Sequence, residues 1–333
     1  MKKLILAALS ALAISGFQNV ASAQTPTISL GFAKCAHCTA MALTPEFAKG
    51  VDIKATPFTT GTDALTALVT KNIDVAQVTY LHYVIALDKG FDVIAIAGQV
   101  SGGSALVVGN DLPVTPNDWA SLKKAIGDAK AAGKPFRVAA SRGNAQDIHM
   151  RGAFAKQGID INKDVTFINI PNPSDHLQAL RRGEVELICT VEPFATQILQ
   201  AGAGKMFGTP YDQAAGNLTN VILTRPDVVA AKPKELEATV RAVVAVDEHI
   251  AKDRAAFSAV VTRITGLDKK IADEAVKNLD PDPKLYRAKT VAIAAMMRDL
   301  KYVNSDVTAE VEKRMDYRFL EAATGKPKSE LGF

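Results

Sequence analysis

Three short stretches hold the residue types that could do chemistry, and the first is Lys34-Cys35-Ala36-His37-Cys38. A C-x-x-C pair at a helix start can close as a disulfide, or carry a thiol whose pKa is lowered. The two thiols with His37 could also supply three soft metal ligands. The third reading is plain: small side chains that shape a pocket floor. A metal would want a fourth group, and no second Cys/His cluster offers one at a fixed spacing. These alternatives stay open on sequence.

The second stretch is Ser141-Arg142-Gly143-Asn144-Ala145-Gln146. It joins an apolar run, Arg137 to Ser141, to a helical pattern from Asn144 to Gln157. Met150, Ala153, Phe154 and Gln157 share one face, and Gly158 ends the helix. A strand that feeds through a glycine turn into a helix leaves amides unpaired at one spot, with the positive end of the helix dipole behind them. Arg142, with the amides of Asn144 and Ala145, would form a two-pronged grip on a carboxylate or sulfonate. The competing reading of Arg142 is a solvated surface arginine, and of the whole stretch an ordinary strand–helix turn.

The third set lies at other strand ends. Thr60 stands in a turn that caps a helix, and Thr79, Tyr80 and His82 stand where another helix starts. Tyr80 could stack on a ring or donate its hydroxyl, or pack between lobes. Glu192, before Pro193, could accept from a ligand N–H or serve as an N-terminal helix charge. His149 lies a turn into its helix and is expected to pack or cap. His176 and His249 are expected on helix surfaces.

The elements that must position these residues alternate. Strands are expected at Thr27–Phe32, Val51–Phe58, Ile73–Val78, Val93–Gly98 and Ala105–Val108. Helices are expected over Ala40–Lys49, Ala64–Thr70 and Tyr80–Lys89. After Trp119–Ala131, a second series of strands and helices runs to Phe207, and a returning strand covers Asn217–Thr224. From Asp227 onward the pattern is helical. Such alternation implies parallel sheets covered by helices. The prolines at Pro113 and Pro116 suggest a crossing between two lobes at Asp111–Thr115.

An internal echo supports two similar halves. Asp63 to Val75 aligns without a gap on Asp175 to Leu187, at a constant offset of 112. Two alike open sheets would turn their strand C-terminal ends to a shared crevice. Under that offset Tyr80 corresponds to Glu192.

Composition narrows the classes. Hydrophobic residues are 48% and charged residues 22%, so large cores can be buried. The net charge of +4 is spread along the chain, and no basic block alternates with aromatics, which excludes a nucleic-acid surface. Met1-Lys2-Lys3, the apolar run Leu4–Ile14 and Ala21-Ser22-Ala23 read as a secretory signal over residues 1–23. No cysteine follows the cleavage site, which argues against a lipid anchor. In a Gram-negative cell the mature chain would reach the periplasm. No Ser-His-Asp order, carboxylate pair or phosphate loop calls for catalysis, so neither an enzyme nor a cofactor is expected.

The order of elements resembles the substrate-binding proteins of ABC importers in the sulfonate, nitrate, taurine and thiamine-precursor (NMT1-like) group. The matching residues are Gly61-Thr62-Asp63-Ala64-Leu65, Ile73-Asp74-Val75-Ala76, Ala86 with Gly90, Ser141-Arg142-Gly143-Asn144 leading to Gly158-Ile159-Asp160, and Val191-Glu192-Pro193-Phe194. The resemblance implies an α/β architecture of the type II periplasmic binding kind: two doubly wound lobes joined by two crossings, with a helical C-terminal region. Lobe 1 would comprise 24–110 plus 215–333, and lobe 2 residues 111–214. It implies a monomer that closes over one small molecule and docks on an inner-membrane permease. Lys34, His37, Thr60, Thr79, Tyr80, His82, Ser141, Arg142, Asn144, Ala145, Gln146 and Glu192 would line the site. The expected ligand is a small organic anion; the runner-up is a neutral heterocycle stacked on Tyr80. A metal-handling or enzymatic relative using Cys35, His37 and Cys38 is a further class. Some relatives that make the thiamine pyrimidine carry a cysteine-rich iron motif, and this sequence lacks that run.

Overall fold

The computed structural model describes residues 25–211 and 215–333. The signal-peptide expectation falls on residues outside that range. In chain order the strands and α-helices are β1 (Thr27–Ala33), α1 (Ala36–Thr39), α2 (Thr44–Phe47), β2 (Asp52–Phe58), α3 (Gly61–Val69), β3 (Val75–Thr79), α4 (Tyr80–Asp88), β4 (Ile94–Gly98), β5 (Val100–Gly102) and β6 (Ser104–Val108). Then come α5 (Trp119–Ala131), β7 (Arg137–Ala140), α6 (Ala145–Lys156), β8 (Thr166–Asn169), α7 (His176–Arg181), β9 (Leu187–Val191), α8 (Phe194–Gln200) and β10 (Lys205–Gly208). The chain ends with β11 (Asn220–Thr224), α9 (Pro226–Ala231), α10 (Pro233–Lys252), α11 (Arg254–Thr265), α12 (Lys269–Ala275), β12 (Leu279–Pro281), α13 (Arg287–Asp299), α14 (Thr308–Lys313) and α15 (Arg318–Thr324).

Two five-stranded sheets form, β2-β1-β3-β11-β4 and β10-β6-β9-β7-β8. Read from the opposite edge, the second repeats the first. In each, four strands share one direction and the fourth in that order is antiparallel to them. That fourth strand, β11 or β6, is the one that has just arrived from the other lobe. The sheets are therefore mixed, where alternation alone suggested parallel ones.

Burial follows the two-residue period of a strand. In the second sheet Val138, Leu187, Cys189, Leu106 and Val108 join one apolar cluster with Leu122, Met150 and Phe154. Ala139, Ile188, Ala105 and Val107 join another on the opposite face, with Ala179 and Ile198. Both faces are covered, so these strands read as unbroken apolar runs. The first sheet and the helices around it share one large core that includes Leu30, Val78, Ile222, Val243 and Leu320.

The first crossing lies at Gln99–Gly103, not at Asp111–Thr115 as the prolines suggested. β6 already belongs to the second sheet, so residues 104–110 sit in lobe 2. Backbone space decides this. Gly102 and Gly103 hold φ of +88° and +85°, and a Cβ on Gly102 would lie 2.7 Å from the Asn278 carbonyl oxygen. Only glycine permits that approach. The 111–115 segment is instead a lobe 2 loop, followed by an Asn117 N–H bonded to the Phe207 carbonyl. The chain returns between β10 and β11.

The C-terminal helices belong with lobe 1. α10 packs on α2 and α15, α13 packs on α4, and β12 pairs with β5 across the crossing. Helical structure begins at Ala36 rather than Ala40, because Cys35 takes the extended N-cap conformation. Among the described residues no helix is long and apolar enough to cross a membrane.

Candidate functional site

The 112 offset is exact in space: β3 ends at Thr79 and β9 at Val191. Both ends, with those of β1 and β7, border a cavity of about 310 Å³ between the lobes. Lobe 1 contributes Lys34, Cys35, His37, Cys38, Thr59–Gly61, Gln77, Thr79 and His82. Lobe 2 contributes Ser141, Asn144–Gln146, Pro171–Ser174, Val191 and Phe194. Its size suits a small ligand.

His82 is the centre of the lobe 1 wall. Its Nδ1 lies 2.7 Å from Thr79 Oγ1 and its Nε2 3.2 Å from Thr62 Oγ1. Thr79 and His82 form a reciprocal cap at the start of α4. Burial lowers the His82 pKa to about 4, partly countered by a hydrogen bond with the Asn144 side chain across the cleft. The imidazole is therefore neutral at pH 7. A Cβ on Gly61 would come within 2.8 Å of the ring, so the glycine lets α3 approach it.

The start of α3 is closed by its own residues. The Thr60 N–H donates to Asp63 Oδ2 at 3.0 Å, and the Asp63 N–H donates to Thr60 Oγ1 at 3.2 Å. The start of α6 differs. Its N-cap, Asn144, makes no side-chain cap bond. The Ala145 and Gln146 amides lie in the first turn, where no intrahelical acceptor exists. Behind them, Asp147 is fully buried. It accepts from the Gly143 N–H at 2.9 Å and from Tyr302 Oη, and pairs with Arg151 Nε at 2.7 Å. Tyr302 belongs to the C-terminal part of lobe 1, so this network fixes α6 against it.

Lys34 is the single cation among the lining residues, and no carboxylate joins them. Gln77 is 1% exposed, and its Oε1 has no hydrogen-bond partner. His37 is also buried with an unpartnered Nδ1, and burial lowers its pKa to about 4. Cys35 and Cys38 are joined as a disulfide. Their ligand atoms and that of His37 lie within 4.8 Å of one another. Two disulfide sulfurs are not thiolates, so metal binding there would require reduction first.

Of the residues expected in the site, Lys34, His37, Thr60, Thr79, His82, Ser141, Asn144, Ala145 and Gln146 line the cavity. Three do not. Tyr80 is fully buried, and its hydroxyl donates to the Lys284 carbonyl at 3.4 Å. As the first residue of α4 it turns from the cleft into the core. Arg142 is exposed and lies over the Phe167 ring at 4.9 Å, away from the cavity. Its N–H is used by Asn169 Oδ1. Glu192 caps α8: it accepts from Thr196 N, Thr196 Oγ1 and Asn278 Nδ2. Burial raises its pKa, and those bonds restrain the rise.

His176 is a further correction, since it is fully buried rather than on the surface. It lies 2.8 Å from Thr190 Oγ1 and 3.1 Å from the Ile170 carbonyl, and so steadies the 171–174 loop. His149 packs on Tyr211, and His249 is half-buried against Phe47. The 171–174 loop lies just outside the echo and carried no signal of its own. Extended a few residues toward the N-terminus, the offset sets Thr59-Thr60-Gly61 on Pro171-Asn172-Pro173. Phe194 entered only as the end of the Val191-Glu192-Pro193-Phe194 motif, and Gln77 and Thr265 carried no comparable sequence signal.

The comparisons with solved structures agree on this architecture. The chain is similar to the periplasmic nitrate-binding protein NrtA of Synechocystis PCC 6803, with a TM-score of 0.79, 18% identity, and 92% of this chain and 91% of that one covered. It is similar to the periplasmic aliphatic sulphonate-binding protein SsuA of Escherichia coli, at TM-score 0.69, 15% identity and coverages of 87% and 92%. It also resembles the alkanesulfonate-binding protein SsuA of Xanthomonas axonopodis pv. citri, bound to MOPS, at TM-score 0.66, 16% identity and coverages of 87% and 95%. These likenesses establish the periplasmic binding protein fold. No curated protein matches the chain. The sequence pattern of the NMT1-like family matches residues 21–265, about three quarters of the chain, and on that match the protein belongs to the NMT1-like family.

Proposed function

We propose that this protein is the periplasmic solute receptor of an ABC importer, and that it captures a small organic molecule carrying one acidic group, a carboxylate or a sulfonate. The observation that carries the reading is the cavity between the lobes, walled by the strand ends of both sheets. A solute held there touches both halves at once, so its binding energy favours the closed arrangement. The closed shape is what a permease would recognise. The family and the nitrate- and sulfonate-binding neighbours support this role. The protein is exported through a cleaved signal over residues 1–23 and acts as a monomer without catalysis.

The anionic end is assigned to α6. The Ala145 and Gln146 amides, the helix dipole and Lys34 favour negative charge there, and no carboxylate opposes it. The neutral His82 adds neither charge nor repulsion. Gln77 Oε1 asks for a donor, so the ligand also carries an N–H or O–H. A neutral heterocycle would satisfy Gln77 and leave the α6 amides without an anion. Affinity comes from desolvation between the lobes and a few charge-assisted bonds.

Thermal unfolding with a panel of small carboxylates, sulfonates and aminopyrimidines tests this. A ligand at about 100 times its Kd adds about 2.7 kcal/mol of stability. Stabilisation by members of the acid set is the expected result. Stabilisation by aminopyrimidines alone would remove the anion assignment, and no response to any solute would remove the receptor role. Mass spectrometry of whatever co-purifies identifies the natural ligand.

A further inference from the structure

The protein has three cysteines, and they occupy opposite environments. Cys189 lies inside β9, fully buried, and burial pushes its thiol pKa up. Cys35 and Cys38 face the solute cavity. Cys35 is half-buried while Cys38 is 3% exposed, so Cys35 is the more exposed residue of the pair. Cys35 is the extended N-cap from which α1 turns away. His37, between the two cysteines, brings its Nε2 to 3.1 Å from Cys35 Sγ. Its other nitrogen is buried and unpartnered, close to Gly103, where a Cβ would come within 3.1 Å.

The backbone of this loop is held without help from the disulfide. The Ala36 N–H donates to the Glu192 carbonyl at 2.8 Å, and Asn220 Nδ2 donates to the His37 carbonyl at 2.8 Å. One anchor comes from lobe 2 and the other from the strand that returns from it. A cavity-facing sulfur, an adjacent imidazole and an independently anchored loop are what thiol–disulfide exchange needs.

We propose that Cys35–Cys38 is a redox-active disulfide serving the cavity, at which small thiols are captured as a mixed disulfide on Cys35. A thiolate entering the cavity attacks Cys35 Sγ. A new S–S bond forms, the Cys35–Cys38 bond breaks, and Cys38 leaves with the electron pair. Cys38 then takes up the proton that the incoming thiol gave up. A second thiol attacks the incoming group, releases a small disulfide and leaves Cys35 as a thiolate, to which His37 Nε2–H donates. The protein disulfide is the oxidant and the small thiol the reductant, so no further reagent is required. The inference goes beyond the receptor reading and does not depend on which solute the cleft binds.

The test uses the folded, full-length mature protein. It is treated with 2-mercaptoethanol, quenched with iodoacetamide, and mapped by peptide mass spectrometry while its thermal transition is recorded. Expected is alkylation of Cys35 in protein that remains folded, with Cys189 unlabelled. In parallel, Cys38→Ser is exposed to 2-hydroxyethyl disulfide, which should place an adduct on Cys35. His37→Gln in that background should slow the reaction severalfold, as the thiolate loses its donor. A pair reduced only together with unfolding, or a folded Cys38→Ser protein that gains no adduct, would overturn the proposal. The wild-type measurement decides the matter should the variant fail to fold.

Discussion

Two helix starts face each other across the cleft, and they resemble one another closely in sequence. α3 begins Gly61-Thr62-Asp63 and α6 begins Ala145-Gln146-Asp147, so each has an aspartate at its third position. In α3 that aspartate is exposed and closes a reciprocal cap with Thr60. In α6 it is buried, passes over the N-cap to Gly143, and ties the helix to Arg151 and Tyr302. The α6 N-cap side chain makes no cap bond, and Asn144, Ala145 and Gln146 border the cavity. The same residue type thus seals one helix and opens the other, and the difference is made by what packs behind it.

Removing the buried aspartate should have the largest effect. Asp147→Ala leaves Arg151 without its partner in a mostly buried place, which costs about 3 kcal/mol. Urea unfolding should register that loss, and solute affinity should fall with it. Equal losses for Asp147→Ala and Asp63→Ala would break the contrast.

Acidification comes next. His37, His82 and His176 have pKa values lowered to about 4 by burial, against about 6.5 when unfolded. Between these values the unfolded chain binds more protons, so stability is full above about pH 6.5 and declines toward pH 4. His82→Asn should remove part of that slope in a pH series of thermal transitions. An unchanged slope would mean that His82 is not held neutral at the junction of α3, α4 and α6.

Asn144→Asp separates capping from ligand binding. Asn144 has no cap bond to lose and a negative charge at a helix start is favourable, so the melting temperature should hold or rise. A negative charge before the α6 amides should weaken an anionic solute by on the order of tenfold, about 1.4 kcal/mol. Calorimetry that finds the affinity unchanged would move the anion away from α6. The matching change at α3, Asp63→Ala, should cost about 1 kcal/mol of stability and leave affinity intact. Smallest of all is Arg142→Ala. Its stacking on Phe167 is worth about 0.5–1 kcal/mol, and solute affinity should not move.

Much of the site was legible because strands, turns and caps are local. The run into Ser141, the glycine turn and the helix after it needed no tertiary information. The same holds for the Thr60 and Thr79 caps and for the 112 offset. Side-chain destinations were not legible. Tyr80 and Glu192 occupy equivalent positions, yet one enters the core and the other caps α8. Arg142 stands beside the cavity-lining Ser141 and points away, because Phe167 offers it a ring. The misplaced crossing has the same origin. Prolines at 113 and 116 are a local signal, whereas the need for two left-handed glycines at 102 and 103 arises from Asn278 and Leu279, far along the chain.

By itself the sequence determined the alternation of elements, the likeness of the two halves and the starts of the helices. Each of these follows from periodicity and from hydrogen bonds between neighbours along the chain. Tertiary structure alone decided which helix start stays open to a ligand, which histidines are neutral and where the lobes join. Those depend on desolvation and on contacts between residues far apart along the chain, as between Gly102 and Asn278.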